Sequence, residues 1–213
     1  MSWAETWCMS FNLDKCKILH VGRSNQQYNY SMNGVPLAVT EKEGDIGVIV
    51  SNTLKPSLQC AEAARRANGV LTQVSKSFLY RDKKTFLQLY KQFVRCHLEF
   101  AIPAWSTWSA GDIDVLERVQ KRAVNMITGL QSRIYDDKLR ELGKDSLLKR
   151  RIKFDMVQTY KIINKIDRVE TETWFNLVGR TNHMQTRNSG YEKNIIAKRA
   201  RTDVRKYLFF QTE

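Results

Sequence analysis

The hydrophobic pattern changes its period once, near Pro56, and this change divides the chain into two kinds of structure. Up to Ser51, short apolar runs alternate with polar residues, which is typical of strands. From Pro56 to Ile166, apolar residues recur every three or four positions, as in amphipathic helices. The sequence therefore predicts an α+β fold, mainly α, with a small antiparallel β portion followed by a helical bundle.

The β portion is predicted from short local signals. Aromatic residues at a spacing of four predict an amphipathic helix over residues 2–12, and alternation predicts a strand over residues 16–21. The Asn33-Gly34 pair is the strongest signal for a tight hairpin, here over residues 28–39. A polar turn at residues 41–44 then precedes a predicted strand over residues 46–50.

The helical part begins at Pro56, which suits a first helical turn. An apolar stripe runs from Cys60 to Phe78, and the small residues Ala63, Ala64 and Ala67 within it would let another helix approach closely. Further helices are predicted after Asp82, from Asp112 to Gly129, over residues 136–142 and over residues 146–166. Three segments result: a β portion (1–51), a helical domain (52–166) and a basic, partly mobile tail (167–213).

Charge is the unusual property of the composition. The 213 residues carry a formal net charge of +13, which favours a polyanionic partner, nucleic acid first and an acidic membrane surface second. A basic protein without such a partner remains the alternative. No apolar run approaches the roughly 18 residues of a transmembrane helix, and the N-terminus lacks a secretory profile. We therefore expect no membrane partner and an intracellular location, nuclear or cytoplasmic.

Basic residues recur along the predicted helices, and each cluster taken singly is typical of a solvated helix face. Taken together with the net charge, the clusters favour binding of phosphates. The candidate nucleic-acid contacts are Arg65, Arg66, Lys121, Arg122, Arg150 and Arg151. A second patch, or a nuclear-targeting signal, is formed by Lys198, Arg199, Arg201, Arg205 and Lys206. Trp105 and Trp108 either stack on bases or are buried between helices.

The sequence contains few motifs that are typical of catalytic or metal-binding sites. The four cysteines contain no C-x-x-C pair, so we predict reduced thiols and no metal site. His97 and Glu99 have no nucleophile at a recognisable spacing, which indicates a structural role. No glycine-rich phosphate loop or nucleophile elbow is present.

Nearly the whole chain carries, in order, segments that are similar to one protein family. They are WCMSFN (7–12), KCKILHVG (15–22), DIGV (45–48), residues 89–95, HLEFA (97–101), AWS (104–106), residues 112–123, residues 146–151 and residues 203–207. These segments resemble the region behind the active site in reverse transcriptases of non-LTR (LINE-type) retrotransposons, of the jockey and chicken-repeat sort. The resemblance implies that residues 1–51 are the last palm elements. It also implies that residues 52–166 are the thumb, which grips an RNA or RNA–DNA duplex, together with the region after it.

The same resemblance bears on catalysis. The family's catalytic aspartates lie upstream of the Trp-rich helix with which this chain starts, and two-metal phosphoryl transfer needs those carboxylates to hold Mg²⁺. We therefore expect no cofactor and no polymerisation by this chain alone, as for a fragment. Tyr135-Asp136-Asp137 resembles the catalytic motif in letters, but a helical pattern comes after it, so we predict a helix N-terminus.

Two departures from the family stand out. Cys96 replaces a proline, and the chain stops at Tyr207–Gln211 where relatives continue. Two other functions stay open: a non-catalytic protein-interaction module that uses the helical faces, and a degenerate element copy that folds poorly because its β portion lacks sheet neighbours.

Overall fold

The computed structural model of the protein describes residues 4, 6–22, 24–175, 177 and 195. They form an α+β fold that is mainly α, which confirms the predicted fold class. The chain divides into two compact units, Met1–Leu58 and Gln59–Glu213. The predicted mobile segment 179–201 lies outside the described residues except for Ile195, and so does the basic patch from Lys198 to Lys206.

The described residues of the first unit form six short strands. They are β1 (Lys17–Leu19), β2 (Ser31–Met32), β3 (Val35–Pro36), β4 (Ala38–Thr40), β5 (Lys42–Asp45) and β6 (Val48–Ser51). Within the described residues they pair as separate two-stranded sheets, β1 with β4, β2 with β3 and β5 with β6. The β2–β3 pair is antiparallel as predicted, β5 and β6 are also antiparallel, and β1 and β4 are parallel. A parallel pair needs a long crossover connection, and residues 20–37, which include the β2–β3 hairpin, provide it.

Two tight turns determine the register of the antiparallel pairs. Asn33 and Gly34 have φ angles of 53° and 78°, as a type I′ turn requires, and the predicted hairpin is confirmed. Ile46 and Gly47, with φ angles of 44° and 83°, form a second such turn. The prediction of a polar turn at 41–44 was therefore wrong: main-chain pairing with β6 makes Lys42–Asp45 a strand despite its charged residues.

The predicted N-terminal helix ends early. Cys8 has a left-handed φ of 50°, and the Met9 N–H donates to the Ala4 carbonyl at 2.9 Å, an arrangement typical of a helix C-terminus. Trp7 and Phe11 are consequently exposed. The prediction was wrong for residues 7–12, and residues 1–3 and 5 lie outside the described part.

Helices follow almost without interruption. Their bounds are α1 (Ser57–Ser77), α2 (Lys83–Leu89), a π-helical turn (Tyr90–Val94), α3 (Arg95–Glu99), α4 (Ile102–Trp105), α5 (Ala110–Asn125), α6 (Tyr135–Glu141), α7 (Leu147–Ile163) and α8 (Thr171–Trp174). Asp82 is the N-cap of α2, as predicted, and accepts the Thr85 N–H at 2.9 Å. None of these helices is both long and apolar enough to cross a lipid bilayer.

The core of the second unit is built from stripes on these helices. On α1 the predicted stripe is buried from Cys60 to Val74, with Ala67 and Leu71 fully enclosed. Phe78 is an exception, because α1 ends at Ser77 and this side chain is exposed. Helix α5 packs against α6 and α7, and α4 packs against α7. Each fully buried leucine contributes about 2 kcal/mol relative to an exposed one.

The π-helical turn keeps apolar residues that are four positions apart on one buried face of the helix. Phe86, Tyr90, Val94 and Leu98 are all buried, one at every fourth position. A regular helix of 3.6 residues per turn would rotate such a series off its face, and the wider π turn compensates. The helix ends before Ala101, which has a φ of 49°, and Pro103 lies in the first turn of α4.

Candidate nucleic-acid interface

Basic side chains lie on α1 and on α5, and we call them together the α1–α5 surface (Arg65, Arg66, Arg118, Lys121 and Arg122). Arg122 joins the two helices, because its guanidinium donates to the Asn68 side-chain carbonyl oxygen at 3.0 Å and to the Thr72 hydroxyl at 3.2 Å. The predicted contacts Arg65, Arg66, Lys121 and Arg122 are therefore brought onto neighbouring helices.

Carboxylates neutralise part of this surface. Glu62 accepts from Arg65 at 2.7 Å and from Arg66 at 2.6 Å, and these hydrogen bonds lower the pKa of Glu62 to about 2. Asp114 pairs with Arg118 at 3.1 Å and with Lys121 at 3.7 Å. Exposed pairs of this kind contribute little to stability, so a phosphate can replace the carboxylate at small cost. Five cations face two carboxylates.

Four basic side chains lie near one another, and we call them the four-cation cluster (Lys91, Arg95, Lys144 and Arg150). Two of them, Arg95 and Arg150, bind Glu99. The Arg150 guanidinium binds both carboxylate oxygens of Glu99, with Nη2 at 2.9 Å from Oε2. Arg95 Nε lies 3.4 Å from the same Oε2 atom. Glu99 is thus shared between two arginines and has little capacity left for a further cation.

Lys144 has the least favourable position in the four-cation cluster. Its pKa is lowered, chiefly by the neighbouring Lys91 ammonium, then by burial and by the charges of Arg95 and Arg150. Like charges at close range disfavour the protonated amine. Asp145 also acts on Arg150 but is paired with two lysines of α7, so positive charge remains in excess and an anion would relieve it.

The start of α7 adds further basic side chains beside this cluster. Asp145 pairs with Lys149 at 3.1 Å and with Lys153 at 2.6 Å, and these two lysines, Lys153 first, lower the pKa of Asp145. Ser146 is the N-cap of α7 and accepts the Lys149 N–H at 3.3 Å. The positive surface therefore continues from α3 along the first turns of α7.

Arg151, the sixth predicted contact, is buried. Only 4% of this residue is exposed, its guanidinium carbon lies 4.6 Å from the centre of the Trp105 ring, and it donates to the Leu98 carbonyl. A phosphate in solvent has no access to this side chain, so Arg151 belongs to the core instead. Trp105 is buried as well, and its indole N–H donates to Phe100 O at 2.7 Å. Burial is thus the correct alternative for Trp105, and Trp108 is half-buried.

A buried polar network connects α5 to α6 and α7. Glu117 accepts the Leu147 N–H at 3.0 Å and the hydroxyl of Tyr135, while Gln120 bonds the hydroxyls of Tyr90 and Tyr135. Burial, followed by the bond to Glu117, raises the pKa of Tyr135. Tyr135 begins α6, as predicted for the Tyr-Asp-Asp segment, and its hydroxyl serves this network.

The described residues contain no group of three or more His, Cys, Asp or Glu side chains placed to hold a metal ion. All four cysteines have free thiols, and burial raises the pKa of Cys60 to about 12. His97 is half-buried, and Glu99 pairs with arginines, in keeping with a structural role.

Lys91, Arg95 and Lys144 were not among the predicted contacts. The spacing of Lys91 and Arg95 along one helix was visible in the sequence, but their meeting with Lys144 depends on tertiary packing. Comparisons with protein-family models, with curated proteins and with solved structures find no match for this chain. Its function must therefore be inferred from its own residues and their geometry.

Proposed function

We propose that the helical unit binds nucleic acid through backbone phosphates, and that the chain is the non-catalytic, thumb-side part of a non-LTR retrotransposon reverse transcriptase. The four-cation cluster is the observation that carries the first half of this proposal. In it the two arginines share Glu99, and Lys91 lies close enough to Lys144 to lower the pKa of that lysine. The resemblance described above supports the second half.

Phosphates are suited to this cluster for electrostatic reasons. Arginine presents a planar fork that binds two phosphate oxygens at once, whereas lysine provides a point charge. A phosphate beside Lys91 and Lys144 would offset the repulsion between the two ammonium groups and raise the pKa of Lys144. Binding of this kind releases counterions and depends steeply on salt, with little dependence on sequence.

The resemblance makes an RNA or RNA–DNA duplex the expected partner, in the nucleus or cytoplasm. It assigns no catalytic residue to this chain, because the Mg²⁺-binding aspartates of the family lie upstream of the matching segments. On this proposal the protein binds template and primer without a cofactor and does not extend the primer by itself.

The test of binding is a pair of double variants with equal loss of charge. We expect Lys91→Gln with Lys144→Gln (the cluster variant) to weaken binding of an RNA–DNA duplex. The slope of log affinity against log salt should fall by about 0.7 to 0.9 for each phosphate that the variant no longer neutralises. Lys42→Gln with Lys55→Gln, exposed lysines of the first unit, is the matched control and should leave this slope close to that of the wild type.

Two results would contradict the proposal. Equal weakening in the cluster variant and in its control would mean that only total charge matters, and salt-independent binding would exclude phosphate contacts. Primer extension by the purified chain with Mg²⁺ would contradict the non-catalytic assignment. Affinity can be measured by fluorescence anisotropy over a range of salt concentrations.

A second candidate function is favoured by an exposed apolar stripe on α7. Its members are Leu148, Ile152, Met156 and Tyr160, each one helical turn from the next. Such a stripe is typical of a helix that packs against another protein. Binding of a protein partner that is abolished in Ile152→Asp, retained in the cluster variant and insensitive to salt would identify this function.

A further inference from the structure

The loop between α1 and α2 exposes three consecutive apolar residues, Phe78, Leu79 and Tyr80, which we call the aromatic loop. Leu79 is 93% exposed and Tyr80 is 81% exposed, while Phe78 is 42% exposed. Isolated apolar residues are common on protein surfaces, but an uninterrupted exposed run costs solubility and needs a functional reason.

The ends of the aromatic loop are firmly held. On its N-terminal side the Phe78 N–H donates to the Val74 carbonyl at 3.1 Å. On its C-terminal side Arg81 donates from Nη2 to the Ser75 carbonyl at 2.9 Å, and its own carbonyl accepts the Thr128 N–H at 3.1 Å. Asp82 then caps α2. Leu79 and Tyr80 are therefore presented to solvent by an anchored loop rather than by a frayed end.

Lysines flank the aromatic loop on both sides. Lys76 lies in the last turn of α1, and Lys83 and Lys84 begin α2. Lys83 is engaged by Glu141, 3.6 Å from a carboxylate oxygen. Within the described residues no carboxylate pairs with Lys76 or Lys84, so two positive charges remain available beside the exposed Tyr80 ring.

We propose that the aromatic loop stacks against unpaired bases of a bound strand while Lys76 and Lys84 contact its phosphates. This inference rests on the proposed function and deepens it, because it names single-stranded nucleic acid as a ligand of a defined loop. The face of a tyrosine ring stacks on any base, and neighbouring cations track the backbone. In a duplex the base faces are already stacked on one another, so the loop would distinguish unpaired from paired strands.

The experiment compares a single-stranded RNA with a blunt duplex of the same sequence. We expect Leu79→Ser with Tyr80→Ser (the loop variant) to weaken single-strand binding about tenfold and to change duplex binding by less than about twofold. A fluorescent adenine analogue in the single strand reports stacking directly, and its quenching by the wild type should disappear in the loop variant.

Two matched variants isolate the contribution of the ring. Tyr80→Phe keeps the aromatic face and should retain both affinity and quenching. Tyr160→Ser removes an exposed tyrosine from α7 and should leave both unchanged. Because Leu79 and Tyr80 are exposed, the loop variant should melt at the temperature of the wild type, which circular dichroism can verify.

Several outcomes would overturn the inference. If the loop variant kept its single-strand affinity while the cluster variant bound the duplex more weakly, the aromatic loop would not be a binding site for unpaired bases. The proposed function would still hold in that case. Equal weakening on single strand and duplex would refute stacking on unpaired bases. Binding of anionic phospholipid vesicles that requires Leu79 and Tyr80, with unchanged single-strand affinity, would assign the loop to a membrane surface. Absence of binding to either nucleic acid would refute both proposals.

Discussion

Glu117 illustrates how one side chain connects several helices. It lies on α5, is 8% exposed, and accepts hydrogen bonds from the first residue of α7 and from Tyr135 of α6. A carboxylate at a helix N-terminus is also favoured by the helix dipole. The charge of Glu117 is therefore compensated although it is buried.

Glu117→Ala should lower the free energy of unfolding by about 3 kcal/mol, because the Leu147 N–H and the Tyr135 hydroxyl would lose their partner in the interior. Urea unfolding followed by circular dichroism measures the change. Asp114→Ala, on the exposed side of the same helix, should cost less than about 1 kcal/mol. Equal decreases in the two variants would contradict the role assigned to Glu117.

The raised pKa of the Asp155 carboxyl predicts that the stability of the protein depends on pH. Burial raises its pKa to about 6 against the opposing charge of Arg151, and its Oδ1 atom has no hydrogen-bond partner within the described residues. The folded state therefore binds a proton more tightly than the unfolded state does. The stabilisation that comes from the protonated Asp155 carboxyl is complete below about pH 4. It is lost as the pH rises towards about 6, and it does not return above that value.

Asp155→Asn should remove this decline and stabilise the protein at neutral pH by about 1 kcal/mol, a value reduced for the solvent exposure of the side chain. Thermal melts between pH 4 and pH 7 of both proteins provide the comparison. Parallel pH profiles for wild type and variant would exclude Asp155 as the titrating group.

At the scale of elements, two helices with serine N-caps differ in how the cap is used. Ser146 accepts a backbone N–H of α7, whereas the side chain of Ser109 makes no capping hydrogen bond to α5. Both residues were plausible caps by type, and only the geometry separates them.

Ser146→Ala should therefore cost about 1 kcal/mol of unfolding free energy, while Ser109→Ala should cost a few tenths, about 0.3 kcal/mol. Chemical unfolding of the two single variants tests this difference. A larger decrease in Ser109→Ala than in Ser146→Ala would contradict the capping geometry of α7.

Whole elements were largely predictable because their signals are local. The period of the α1 stripe, the Asp82 cap and the Asn33-Gly34 turn each depend on residues within a few positions of one another. The helix predicted over residues 2–12 failed at Cys8, where the chain takes a left-handed conformation. No pattern of residue types indicated that reversal.

For the molecule as a whole, the two units should differ in stability. In Met1–Leu58 the strands form separate two-stranded sheets, and pairs of this size are marginal in water. In Gln59–Glu213 the helices share an extensive buried core. Regions that bury little apolar surface open at low free energy.

Limited proteolysis of the full chain should therefore cut within residues 20–47 before it cuts within residues 59–166 at the same protease concentration. Mass spectrometry of the early products identifies the sites. First cuts within α1, α5 or α7 would contradict this order and would support the alternative of a poorly folding element copy.

Some properties are determined by the amino-acid sequence alone. Period, caps and turns determine a mainly helical α+β chain with a hairpin at Asn33-Gly34, because each is set by short-range sterics and hydrogen bonding. The excess of 13 positive charges is likewise a property of composition, and the expectation of a polyanionic partner rests on it.

Tertiary structure alone decided which basic side chains are exposed to a phosphate and which are buried. Arg150 and Arg151 are neighbours in sequence, yet one joins the four-cation cluster and the other is buried against Trp105. Lys91 and Lys144 meet only because their segments pack together. The physical reason is that helical period defines the faces of a helix, whereas burial and charge proximity depend on which distant segment packs against each face.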